Sequence, residues 1–317
     1  MKILRGVLLV LAVACLAVMV AKRWWDAHYY DGYDPALPLN ASVKAEEDRP
    51  AYHRVAFTFD GLPGMPVPSL MALPRDSKGP LPCVIFLHGI GQEKEFLDDI
   101  AAPFTQAGFA FVSFDQYTRG ERKLKDPKRL ESLLAFRRRG ALTVIETRRL
   151  MDSLQTRDDI ARDRIYLCGA SYGAITGSTA AAFDPRIRAV VLCYGGGNLR
   201  LLFGNREAAE MIGALRKPAQ WFLTWLLAPS DPVRHVAQIS PRPILFQNGT
   251  HDSLIPTAAA QALYDAAKDP KQITWYDSDH VGLDAAHTWR VLTEAVDWLK
   301  NQDNAITGLD AGAKNAA

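Results

Sequence analysis

Apolar runs rich in β-branched and aromatic residues recur through the middle of this chain, at 54–59, 67–73, 83–87, 110–114, 165–168, 189–194, 244–247 and 273–276. Runs of this length, bounded by Gly, Pro, Asn and Asp, read as strands. The first two alternate apolar with polar positions and are separated by Asp60, Gly61, Pro63 and Gly64, which predicts an antiparallel hairpin at a sheet edge. The other six are nearly continuous in apolar character, as strands covered on both faces are. Segments with helical spacing fall between them, at 93–107, 136–154, 172–182, 258–267 and 285–300. The predicted class is therefore α/β, with a mostly parallel central sheet and helices on both faces, in one domain over 51–301.

The longest interval between strands, 195–240, holds two amphipathic segments, 206–215 and 219–227, the second carrying Trp221, Phe222, Trp225 and Leu226. A small helical cap is expected here, above the carboxyl ends of the strands where open α/β sheets bind ligands. Ordinary crossover helices with their aromatics in the core are the alternative. The polar, Pro-containing stretch after the N-terminal segment (24–50) reads as a linker, and 302–317 as a flexible tail.

Gly6 to Ala21 is an uncharged apolar run, flanked by Lys2 and Arg5 before it and by Lys22, Arg23, Trp24 and Trp25 after it. Its length lies between the core of a signal peptide and a full bilayer span. Without a small-residue cleavage site, and with cationic and aromatic residues suited to an interface, 1–23 reads as an uncleaved anchor rather than a cleaved signal. The expected location is membrane-anchored or exported, with the folded domain periplasmic or extracellular.

The composition, 48% hydrophobic and 23% charged, suits a packed globular chain and excludes a disordered one. Lys plus Arg number 37 against 35 acids, and four of those cations flank the apolar run, so the remainder has no nucleic-acid signature. A local exception is 116–149, with eleven basic residues against four acids; it is read as a solvated loop and helix face, with docking on anionic headgroups as the functional alternative. Cys83, Cys168 and Cys193 each lie in an apolar run and read as core filling, and no C-x-x-C or H-E-x-x-H supports a metal site. No cofactor is expected.

Gly169-Ala170-Ser171-Tyr172-Gly173 follows a strand and opens a segment of small residues. A serine on a sharp strand-to-helix turn needs glycine two residues before and after it, because strand and helix approach closely there. Serine requires a base, and the base an orienting acid. Asp252 and His280, each just past a later strand, follow in chain order and are the candidate acid and base. His251 adjoins the acid, His287 falls in the last helix, and His235 reads as a solvated loop residue. Asp277 and Asp279 suit turn hydrogen bonds better than support of the imidazole. For an oxyanion, the Tyr172 amide and the amide of Ile90 (or of Gly91) in Leu87-His88-Gly89-Ile90-Gly91 are the candidate donors. His88 is read as a residue that positions this loop.

Taken in order, HGIG after a strand, Asp115-x-x-x-Arg119-Gly after the next, GASYG, NGTHD and DSDH resemble the serine α/β-hydrolase superfamily, particularly its dienelactone hydrolase and acetyl xylan esterase-like branch. The resemblance covers about residues 51 to 301. It implies an α/β-hydrolase fold and hydrolysis of small-molecule carboxylic esters of small or medium acyl groups through an acyl-enzyme on Ser171. Dienelactone hydrolases proper carry cysteine at the nucleophile position, which Ser171 replaces here. A peptidase of the prolyl-oligopeptidase type, or a non-catalytic binding module on the same fold, are the alternatives.

Overall fold

In the computed structural model, which describes residues 2–75, 79–204 and 216–314, nine strands form a single sheet. They are β1 (Ser42–Asp48), β2 (His53–Leu62), β3 (Met65–Leu73), β4 (Leu81–Leu87), β5 (Ala110–Phe114), β6 (Ile160–Ala170), β7 (Ile187–Cys193), β8 (Ile244–Gly249) and β9 (Lys271–Tyr276). Their spatial order is β1-β2-β3-β5-β4-β6-β7-β8-β9. β1 to β3 pair antiparallel with one another, β3 runs antiparallel to β5, and every later pairing is parallel.

The helices are α1 (Lys2–Ala27), α2 (Leu97–Gln106), α3 (Arg129–Gln155), α4 (Tyr172–Phe183), α5 (Leu199–Leu202), α6 (Arg216–Leu227), α7 (Thr257–Ala266) and α8 (Ala285–Lys314). Period-two alternation sorts them into layers. Along β4, Cys83, Ile85 and Leu87 face one core cluster, shared with Leu150 and Leu154 of α3, Ala180 of α4 and Leu263 of α7. Val84 and Phe86 face the opposite cluster, with Ile100 and Phe104 of α2 and Val291 and Leu299 of α8. Helices thus cover both faces, and the buried strands contain hardly a polar position because neither face meets water.

Two stretches that composition marks as linker and tail carry regular structure. β1 lies within the expected linker and takes the sheet edge that the pattern assigns to the β2–β3 hairpin. All seven of its residues are exposed, so no buried apolar alternation announces it. The last helix runs on from the expected domain end at residue 301 to Lys314, held in part by Asp303, which accepts from Arg164 and Tyr166. The expected helix at 206–215 lies outside the described residues.

α5 and α6 form a third apolar cluster with Ile255, Ala259 and Ala260, and Phe136, Ile175 and Trp225 pack against it. This cluster sits next to the start of α4. At the other end of the chain, an 18-residue window within Ile3–Ala27 has mean hydropathy 2.7 and none of it is buried, so by length and composition α1 is able to cross a membrane.

Candidate active site

β6 and α4 meet at Ser171, whose backbone is held at φ 55° and ψ −118°, a conformation few L-residues adopt. The neighbouring glycines explain how the turn closes. A β-carbon on Gly173 would lie 1.8 Å from the Leu87 carbonyl oxygen, and one on Gly169 would lie 2.4 Å from the Gly173 oxygen. Only hydrogen fits at either point, so β4, β6 and α4 come together and lift the Ser171 side chain above the sheet.

The structure brings Ser171, His280 and Asp252 together. The Asp252 carboxylate, 1% exposed, accepts from His280 Nδ1 at 2.8 Å through Oδ2 and from the amides of Leu254 and Ile255 at 2.8 Å through Oδ1. A carboxylate can only accept, so Nδ1 carries the proton and Nε2 is left as an acceptor. Ser171 Oγ lies 3.0 Å from that Nε2. Asp279 acts elsewhere: its Oδ1 accepts from the Ser253 amide and hydroxyl and from the His280 amide, stapling the β9–α8 turn to the β8–α7 turn. Those hydrogen bonds hold its carboxyl below the usual carboxylate range.

Among the described residues, the loop after β4 has its carbonyls taken from outside. Gln116 Nε2 donates to the His88 carbonyl at 2.9 Å, Arg119 to the carbonyls of Gln92 and Gly91, and Arg139 Nη1 to that of Ile90 at 3.1 Å. Arg139 also grips Gln116 Oε1 with two nitrogens and lies over the Tyr172 ring. Ile90 lines the cavities beside Ser171. The Tyr172 amide opens α4, where no carbonyl one turn back exists to accept it. Burial pushes the His88 imidazole down to about 4, so it is neutral; its Nδ1 lies 2.9 Å from the Gly89 carbonyl, inside the same loop.

Arg139 and Gln116 were not singled out by sequence as site residues, because Arg139 lay hidden in the basic run. That run is largely not a solvated face. Arg137, Arg139 and Arg149 are at most 3% exposed, Arg122 pairs with the buried Glu146, and Arg148 lies over the Tyr33 ring, leaving Lys123, Lys125, Lys128, Arg129 and Arg138 exposed. His235 is also packed, edge-on to Tyr30 and Phe183, instead of solvated. His287 joins Tyr194, whose ring stands edge-on to His280, and His251 pairs with Asp277 at the surface.

Two cavities open on either side of Ser171. One, about 290 Å³, is lined mainly by apolar groups, with Tyr29, Phe136, Ile175, Leu202 and Leu227 among them. The other, about 200 Å³, is bounded by Phe96, His280, Val281 and Leu292. Among the described residues, no group of three or more His, Cys, Asp or Glu is placed to hold a metal ion.

A serine on a strained turn between β6 and α4, with an acid and a histidine after later parallel strands, fits the α/β-hydrolase fold. The dienelactone hydrolase family model matches residues 67–300, and the chain belongs to that family. Esterase YjfP of Escherichia coli (strain K12) is 28% identical over 218 residues, covering 64% of this chain and 83% of the esterase. Acetyl xylan esterase 1 from Thermoanaerobacterium sp. JW/SL YS485 superposes with a TM-score of 0.70 at 17% identity, covering 89% of this chain and 93% of that one. Acetyl xylan esterase from Paenibacillus sp. R4 gives 0.70 at 18%, with 86% and 93% covered. The family match and the esterase relative place the protein among ester-hydrolysing enzymes, and the two superpositions show the fold.

Proposed function

We propose that the protein hydrolyses carboxylic esters of small or medium acyl groups, with Ser171 as nucleophile, His280 as general base and Asp252 as the acid that orients it. The observation that carries this reading is the relay from Ser171 Oγ to His280 Nε2 at 3.0 Å and from His280 Nδ1 to Asp252 at 2.8 Å. His280 takes the serine proton as Oγ attacks the ester carbonyl, and Asp252 stabilises the imidazolium that forms. The tetrahedral oxyanion is held by the amides of Ile90 and Tyr172. His280 then protonates the departing alcohol as the C–O bond breaks. A water, deprotonated by the same imidazole, attacks the acyl-enzyme; the acid leaves and the proton returns to Ser171.

The cavity walled by Phe136, Ile175 and Leu202 would take the acyl group, and its volume is at the small end of ligand pockets, which run about 300–1,000 Å³. The smaller cavity, next to His280, would take the alcohol, where the departing oxygen needs its proton. α1 is read as an anchor that holds the catalytic domain on the outer side of a membrane.

The test is turnover of a panel of p-nitrophenyl esters by the parent, Ser171→Ala and His280→Ala. Loss of activity in both variants, with shorter acyl chains preferred over long ones, supports the reading. Equal turnover by Ser171→Ala would reject the nucleophile.

A further inference from the structure

The segment joining α1 to the sheet is built into the acyl pocket. Tyr29, 8% exposed, lines that pocket, and its hydroxyl donates to the Arg137 carbonyl at 2.7 Å. The Arg137 guanidinium lies over the rings of Trp25 and Tyr29, at 3.9 and 4.7 Å, pairs with Asp26 at 2.9 Å, and donates to the Leu226 carbonyl on α6. Tyr30 packs edge-on to Phe183. Further along, the buried Arg149 donates to the carbonyls of Asp34, Leu37 and Pro38. A free tether keeps its conformational entropy, about 1–2 kcal/mol per residue for the backbone, and makes no such contacts. Here the last turn of α1, the segment after it and the pocket wall form one body.

That body stands close to where the apolar helix ends. From Ala21, the last residue of the uncharged run, to Tyr29 is eight residues, about 12 Å at 1.5 Å per helical residue. The headgroup layers add roughly 5 to 8 Å on each side of a hydrocarbon core about 30 Å thick. A pocket wall this near the anchor begins at the outer margin of the headgroups.

The surface around it suits that position. α6 gives Leu227 to the pocket and turns Trp221 and Phe222 outward, 68% and 41% exposed, while its Trp225 receives the Lys22 ammonium of α1 at 4.7 Å. Trp24 on α1 is 64% exposed. The start of α3, the helix whose Arg137 grips the anchor, exposes Lys128, Arg129 and Leu130, with one acid, Glu131, after them. Aromatic side chains with cations among them are the composition of a membrane interface.

We infer that this face rests on the bilayer that holds α1, and that the substrate is an acyl ester carried in that bilayer, its acyl group entering beside α6 and Tyr29 and the oxygen end of its alcohol lying in the smaller cavity next to His280, while the rest of the alcohol chain trails back among the lipids. The inference rests on the serine-hydrolase reading above. It is tested with the full-length protein in phosphatidylcholine–phosphatidylglycerol vesicles and two butyrate esters: p-nitrophenyl butyrate in water and hexadecyl butyrate dissolved in the vesicles. Trp221→Ser combined with Phe222→Ser leaves turnover of the first unchanged, which also shows that the variant is folded. It lowers butyrate release from the second on the order of tenfold, as loss of two inserted aromatic side chains requires. Equal rates on hexadecyl butyrate for parent and variant, or turnover of the soluble ester alone by the parent, would overturn the inference. A parent that hydrolyses neither ester removes the reading on which it rests, and the inference with it.

Discussion

Arg139 Nη1 donates to the Ile90 carbonyl at 3.1 Å, from a guanidinium that is itself held by Gln116 and buried against Tyr172. The Ile90 carbonyl shares its peptide plane with the Gly91 amide, so holding it constrains, from the adjoining peptide, the Ile90 amide proposed to meet the oxyanion. Burial lowers the Arg139 guanidinium to about 10, still well above neutrality, so the grip persists through physiological pH.

Arg139→Met is therefore expected to lower kcat while leaving KM for a small ester within a few-fold. Loss of an oxyanion donor outright costs about 10²–10³ in kcat, and a loosened donor less, on the order of tenfold to a hundredfold. Steady-state kinetics on p-nitrophenyl acetate measures it. A change in KM with kcat unchanged would assign Arg139 to substrate binding instead.

The turn at Ser171 makes a contrast among glycines. Gly173→Ala places a β-carbon against the Leu87 carbonyl, where backbone would have to move, whereas Gly91→Ala meets nothing within 4 Å. Thermal unfolding is expected to show a loss of several kcal/mol, or no folded protein, for Gly173→Ala. Gly91→Ala should melt within about 1 kcal/mol of the parent.

Acyl-chain preference should follow the wall contributed by Tyr29. Tyr29→Ala enlarges the pocket and is expected to shift the best p-nitrophenyl ester toward longer chains. Gly140→Ala is expected to act in the opposite sense, since Gly140 lines the same pocket and its added β-carbon, 2.5 Å from the Tyr29 hydroxyl, takes space there. Ranking kcat/KM across chain lengths for the three proteins checks both directions.

His88 makes stability depend on pH. It is fully buried and neutral, with its imidazole depressed from 6.5 to about 4, so between those values the unfolded chain binds a proton that the folded chain refuses. Stability then rises with pH across that window, and falls by about 3 kcal/mol as pH drops from 6.5 to 4. Urea unfolding at several pH values should show a shallower slope in His88→Gln than in the parent; equal slopes would contradict the burial.

The sequence revealed the buried strands of a mostly parallel sheet and the candidate side chains Ser171, Asp252 and His280, because each depends on local pattern. Continuous apolar runs mark β4 to β8, and the small residues flanking Ser171 mark the turn that lifts it. What stayed hidden depends on tertiary partners. β1 is exposed throughout and mostly polar, so no buried apolar face marks its pairing with β2. The cations of 116–149 look like a solvated surface until Gln116, Glu146 and the carbonyls of Gly91 and Ile90 are placed around them. Tyr29, 142 positions before Ser171 in a stretch that reads as linker, lines the pocket with its ring under the Arg137 guanidinium and its hydroxyl on the Arg137 carbonyl, partners that no local pattern announces.

The most direct measurement is the site of covalent capture by a fluorophosphonate ester, read by mass spectrometry of the digested full-length protein. One adduct is expected, on the peptide containing Ser171, absent from Ser171→Ala and strongly slowed in His280→Ala. Labelling of Ser171→Ala at the parent's rate, or an adduct on any other serine, would contradict the account.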